Sequence, residues 1–190
     1  MGAGGYCHAT AAETSEIGTC VNQIAPGVIG IGRAPGANKS ALLQSGNTVR
    51  VSEDFVSTET SFATIAGLSW KVPGGLTYSF HCALSYAQAG GSSPLEFGIQ
   101  TAGIAPVHLF ANGLMQLGPT TFAGGTLPEW KDTGTAKIVS GTPSAARTDF
   151  TATLDGTFEL ARESAIHIKV AVGDSGNAVT INKGSYCQLF

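Results

Sequence analysis

Residues 77–86 read Thr77-Tyr78-Ser79-Phe80-His81-Cys82-Ala83-Leu84-Ser85-Tyr86. Tyr78, Phe80, Cys82, Leu84 and Tyr86 fall on one side of an extended chain, and Ser79, His81, Ala83 and Ser85 on the other. Successive side chains of a strand point to opposite faces, so the stretch predicts a half-buried β-strand about ten residues long. His81 lies on the small, polar side and reads as a solvent or interface histidine. His108 and His167 are also mid-strand and read as satisfied or exposed.

The same period of two runs outward from this strand. Val49-Arg50-Val51-Ser52 alternates; Phe62, Thr64 and Ala66 are expected to share one face, continued by Leu68, Trp70 and Val72. Pro73-Gly74-Gly75 is a turn. Downstream, Leu95–Ile99, Val107–Phe110, Lys137–Val139 and Phe150–Leu160 read as strands, and 118–134 as a long Gly/Pro/Thr-rich excursion. Ile166, Ile168, Val170 and Val172 alternate with His167, Lys169 and Ala171. Asp174-Ser175-Gly176-Asn177 has hairpin-turn composition, and Val179, Ile181 and Ser185–Leu189 complete the run. Short strands joined by turn-rich loops, without an amphipathic helix, predict an all-β antiparallel sandwich or jelly roll over residues 49–190.

Residues 1–48 differ. They are dense in Gly, Ala, Ser and Thr, with isolated apolar groups at Val21, Ile24, Val28, Ile29 and Ile31. Too few apolar side chains are present to offset backbone ordering, and too many for a solvated linker. The segment is expected to be an extended, mostly irregular arm, disordered alone and ordered against a partner. Arg33, the only basic residue before Lys39, is its expected polar anchor.

Charged residues make up 12% of the 190 and net charge is −3, against a usual charged share of about 25%. A weakly charged surface suits a protein that packs against something, and nothing here makes an electrostatic case for nucleic acid. No apolar run reaches the roughly 18 residues of a membrane span, and Met1–Tyr6 lacks the basic and apolar regions of a secretory signal.

Several chemical signatures fall short. Gly27–Ser40 (GVIGIGRAPGANKS) outlines a phosphate loop, but Asn38, not Gly, precedes Lys39, and only Ala41–Gln44 follows before the Ser45-Gly46-Asn47 turn. The loop therefore lacks both the glycine beside the lysine and the helix whose N-terminus would hold a phosphate. Cys7, His8 and Cys20 lack a fourth local ligand for zinc. Gly173-Asp174-Ser175-Gly176 matches the nucleophile motif of trypsin-like proteases, with His81 and Asp132, Asp149 or Asp155 in the right chain order. Only 14 residues follow Gly176, too few to build the walls of a substrate pocket. The expectation is no enzyme activity, no cofactor and no metal.

Ala66–Phe190 resembles the small C-terminal β-domains of tailed-bacteriophage virion proteins. The resemblance is carried by Gly67-Leu68-Ser69-Trp70-Lys71-Val72-Pro73-Gly74-Gly75-Leu76-Thr77-Tyr78-Ser79-Phe80, and by Val170-Ala171-Val172 through Gly176-Asn177-Ala178-Val179-Thr180-Ile181 to Gly184-Ser185-Tyr186. Ile29–Ala37 is similar to an I-G-R-x-x-G-x-G tract of some tail proteins, departing from its usual form. The resemblance implies a tumour-necrosis-factor-like or viral jelly roll, a structural role in the virion and a homotrimer. It also implies that the last strand lies beside the central one, so Cys82 and Cys187 are expected close together, bonded or as core thiols. Without heptads or a long stalk before Val49, the layout suits a head decoration (cement) protein on the outer surface of the particle better than a fibre. On that reading the arm, through Val21, Ile24, Val28, Ile29, Ile31 and Arg33, staples to the major capsid protein. The alternative is a tail-fibre or receptor-binding module that takes a host surface glycan on Trp130 and Phe122.

Overall fold

The computed structural model describes residues 21–25, 28–31, 42–44, 48–89, 93–144 and 147–190, with no helix among them. The chain divides into two compact units, residues 1–47 with Phe190, and Thr48–Leu189. In the first, β1 (Val21–Ala25), β2 (Val28–Ile31) and β3 (Leu42–Gln44) form an antiparallel sheet in that order. Val21 pairs with Ile31, Ala25 with Val28, and Gly30 with Leu42. The sequence reading expects no strands here. β1 and β2 are two residues apart, so their backbones can satisfy one another locally, a contribution that counting apolar side chains leaves out.

The second unit contains β4 (Thr48–Arg50), β5 (Phe55–Ser57), β6 (Ala63–Val72), β7 (Thr77–Ala89), β8 (Leu95–Thr101), β9 (Pro106–Gln116), β10 (Phe122–Leu127), β11 (Thr135–Gly141), β12 (Arg147–Leu160), β13 (Ser164–Val172), β14 (Ala178–Ile181) and β15 (Tyr186–Leu189). Eight of these form one antiparallel sheet, ordered β10-β9-β12-β7-β14-β5, with β15 also on β7 and β4 on β15. The second sheet is β11-β8-β13-β6. The two make a sandwich-like all-β unit.

The alternation in 77–86 sets the core. Tyr78, Phe80, Cys82, Leu84 and Tyr86 are all buried, and β12 lies beside them with Phe150, Leu154 and Phe158. Phe97, Ile99, Ile166, Ile168 and Val170 of the four-stranded sheet belong to the same core. The Tyr86 ring bridges the sheets, stacked on Phe150 (centroids 5.3 Å) and edge-on to Phe97 (5.6 Å). Its hydroxyl donates to the Gln116 carbonyl, and burial raises its pKa. Cys82 and Cys187 stand directly opposite on β7 and β15 and are joined in a fully buried disulfide, with Cα atoms 4.0 Å apart.

Three local readings differ from the sequence analysis. In β6, Ile65 is buried while Thr64 and Ala66 are exposed, so the face reverses before Leu68, Trp70 and Val72. Gly67 causes this: it has φ +85°, a Cβ there would lie 2.3 Å from the Arg50 carbonyl, and the pairing with β13 shifts register around it. Asp174–Asn177 does turn, through the Asn177 N–H to the Asp174 carbonyl, but it joins β13 to β14 in the other sheet and is no hairpin. The 118–134 excursion contains β10, an edge strand whose glycines hid its alternation.

Those glycines close one side of the sandwich. Gly125 of β10 pairs with Gly113 of β9. A Cβ on Gly125 would lie 2.0 Å from the Ile138 carbonyl, and one on Gly113 would lie 2.8 Å from Val139 Cγ1. Strand β11 carries a register shift between Lys137 and Val139 and presses into this gap from the other sheet. Gly124 meets nothing closer than 4.0 Å. We therefore expect Gly125→Ala to destabilise the chain by about 2 kcal/mol or more, while Gly124→Ala stays within about 0.5 kcal/mol, in urea melts. The disulfide closes a loop of sequence separation 105. Replacing both cysteines by alanine is expected to lower unfolding free energy by about 2–5 kcal/mol relative to the oxidised chain in the same melts.

Candidate functional site: the outer face of the eight-stranded sheet

The outward side chains of the two sheets differ in kind. On the four-stranded sheet they are charged and paired: Lys71–Glu163 at 2.7 Å and Lys137–Glu96 at 3.1 Å, with Lys169 Nζ donating to the Phe62 carbonyl at 3.3 Å. His167 lies there too, its Nδ1 hydrogen-bonded to Ser69 Oγ (2.8 Å). Burial, then the Lys169 charge, lowers its pKa. The unfolded state therefore binds this proton more readily, so stability is lost as pH falls below about 6.5. This is a solvated face.

The eight-stranded sheet presents a different grid. Reading outward-facing partners across the strands, one row is Phe122, Gln116, Thr151 and Ser85; the next is Gly124, Leu114, Thr153, Ala83, Tyr186 and Arg50. Then come Thr126, Asn112, Asp155, His81 and Gln188, followed by Phe110, Thr157 and Ser79, and finally His108, Glu159 and Thr77. Small hydroxyls and alanines make the middle of this wall flat. At its β9–β10 side three large apolar side chains stand in water: Phe110 is 44% exposed, Leu114 49% and Phe122 52%. Strand β9 thus carries apolar residues on both sides, Leu109, Ala111 and Met115 inside with Phe110 and Leu114 outside.

The charges on this wall are mostly paired within it. His81 Nδ1–H donates to Asp155 Oδ1 at 2.6 Å, and His108 Nδ1 lies 3.9 Å from Glu159 Oε2. Thr77 Oγ1 also donates to Glu159, at 3.4 Å. The His81 ring is edge-on to Tyr186 (6.4 Å), over which the Arg50 guanidinium sits at 5.6 Å. His108 packs against Phe110 with centroids 5.9 Å apart. Such a surface can bury itself against a similarly flat, sparsely charged partner.

The residues singled out from the sequence are placed as follows. Val21 and Ile24 lie in β1, and Val28, Ile29 and Ile31 in β2; Arg33, Cys7, His8 and Cys20 lie outside the described residues. Cys82 and Cys187 form the disulfide. His81 meets Asp155 but not Ser175: Ala178, just past that turn, pairs with Ala89, eight residues or about 27 Å along β7 from His81. Trp130 and Phe122 are not a pair. Trp130 N–H bonds the Leu109 carbonyl and Phe122 pairs with Gln116, positions about 23 Å apart along β9. Trp130 packs partly buried against the core, its Nε1–H donating to the Asp132 carbonyl at 3.1 Å. Asn112 and Leu114 lie in the part of β9 beyond Phe110, where the strand expected from the sequence ends. The signal available was the apolar alternation continuing through Leu109, Ala111 and Met115.

No protein-family model matches the chain, and no curated protein matches it in sequence. Among solved structures it is similar to one titled "Structure of infectious bursal disease virus Gx strain", at 11% identity and a TM-score of 0.15, over 85% of this chain and 44% of that one. The chain thus spans less than half the length of that viral protein, and a likeness of this depth carries no weight for fold or role.

Proposed function

We propose that this protein is a structural subunit of a virus particle, a tailed-phage head decoration protein that self-associates as a homotrimer through the outer face of its eight-stranded sheet. The observation that carries the reading is the contrast between the two outer faces: one solvated and ion-paired, the other flat and bearing Phe110, Leu114 and Phe122 in the open. Exposed apolar side chains grouped on one face mark a surface that functions by being covered. Strands of 6, 11, 14, 13 and 4 residues in β10, β9, β12, β7 and β15, at about 3.4 Å per residue and about 4.8 Å spacing, give a wall of roughly 800 Å², the area one partner contributes to a stable interface. Three such faces around a threefold axis close the assembly.

The resemblance of Ala66–Phe190 to phage virion β-domains supports the particle assignment. The buried disulfide suits a product that works outside a reducing cytoplasm. The N-terminal unit is the part proposed to engage capsid subunits, with β1 and β2 carrying the apolar residues of that contact. The glycan-binding alternative loses its basis with the separation of Trp130 from Phe122.

Two measurements test this. Light scattering of the full chain is expected to give three times the 19.3 kDa chain mass. Leu114→Glu, an exposed position that leaves the core intact, is expected to give a folded monomer; a stable monomer in the unsubstituted chain rules the trimer out. Antibodies against the β-sandwich are expected to label phage heads in electron micrographs of lysates from producing cells, whereas labelling of tails, or of no particle, rules out the decoration role.

A further inference from the structure

The outer face of the eight-stranded sheet contains its own acidic groups, Asp155 and Glu159 of β12. Resting on the reading above, we infer that association across the outer face of the eight-stranded sheet takes up protons at His81 and His108, and is therefore stronger in mild acid than in mild alkali.

Covering this face desolvates the charged groups at its centre. Asp155 and Glu159 project from β12, in the middle of the wall, and a covering subunit removes water from both. A carboxylate taken out of water needs a cation beside it. A second copy presents the same wall, so it brings the same groups and no new cation to the centre. Arg50 sits at the β4 margin over Tyr186. Lys71, Lys137 and Lys169 are engaged on the other sheet. Among the described residues, the cationic side chain that lies against each of these carboxylates is an imidazole: His81 at 2.6 Å from Asp155, and His108 at 3.9 Å from Glu159.

Imidazole is the side chain whose charge changes near neutrality. Protonated, each histidine converts its carboxylate into a neutral pair that can be covered. The groups facing His81 are Asp155 on β12, Tyr186 and Gln188 on β15, and Arg50 on β4 through Tyr186. Those facing His108 are Glu159 on β12, with Thr77 of β7 bonded to it, and Phe110 on its own strand. On the segment after β10, Glu129 is already held by Lys131 at 2.7 Å. The sign follows: if the assembled state binds more protons than the free subunit, association strengthens as pH falls, by up to tenfold per pH unit for each proton taken up. His167, outside this face, acts in the opposite sense on folding, so association and stability diverge on acidification.

The test is sedimentation velocity on the full chain at about pH 8 and about pH 6, with circular dichroism confirming the fold at both. The dissociation constant is expected to be at least about tenfold lower at the acid pH. The double variant His81→Gln, His108→Gln is expected to lose most of that ratio. The double variant Asp155→Asn, Glu159→Gln, which removes the charges to be buried, is expected to associate tightly at both pH values. Oligomers with equal or weaker association in acid overturn the proton linkage and leave the self-association reading standing. A histidine double variant that keeps the full ratio overturns the assignment to these residues. A chain monomeric at both pH values overturns the linkage together with the trimer.

Discussion

The pairing of β15 with β7 is the constraint on which much of the β-sandwich depends. Cys187 lies opposite Cys82, both pointing inward, and Leu189 follows on the same side opposite Phe80. Side chains alternate with a period of two, so a slip of one residue would turn Cys187 and Leu189 outward. The disulfide forbids that slip. Strand β4 pairs with β15, and Val51, just past β4, bonds Ser185 and Gly184 on either side. The short strands at both ends of the domain are therefore held in one register by a single covalent contact in the core.

β7 distributes that order to the rest of the sheet. On one side it pairs with β12 along nearly its whole length, and on the other with β15 and then β14. Its inward row fills the core, and its outward row supplies Ser79, His81, Ala83 and Ser85 to the wall. The chemistry of that wall follows from register. Asp155 meets His81, and Glu159 meets His108, because β12 lies between β7 and β9 at this offset. The two histidine–carboxylate contacts are thus products of strand order, as is the placing of Leu114 opposite Gly124.

The two outer faces differ in how they carry charge and apolar surface. Paired lysines and glutamates on the four-stranded sheet each contribute little to stability, roughly 0–1 kcal/mol, and keep that side wetted. The other sheet carries a flat wall with an apolar margin. Low overall charge, visible in composition, becomes informative once it is known where the few charges sit.

The amino-acid sequence by itself determined the fold class, because alternation such as Tyr78-Phe80-Cys82-Leu84-Tyr86 is a local property of an extended chain and survives without knowledge of its neighbours. Strand β13 was legible for the same reason. Where glycine interrupts the pattern, legibility fails: Gly67 reverses the face within β6, and Gly124 and Gly125 hide β10. Tertiary structure alone decided the rest. It placed Asp174–Asn177 between sheets, gathered Phe110, Leu114 and Phe122 on one face, and brought His81 to Asp155 across 74 residues. The physical reason is that period tells which side of a strand a residue occupies, whereas register and strand order, set by long-range pairing, decide which residues share that side.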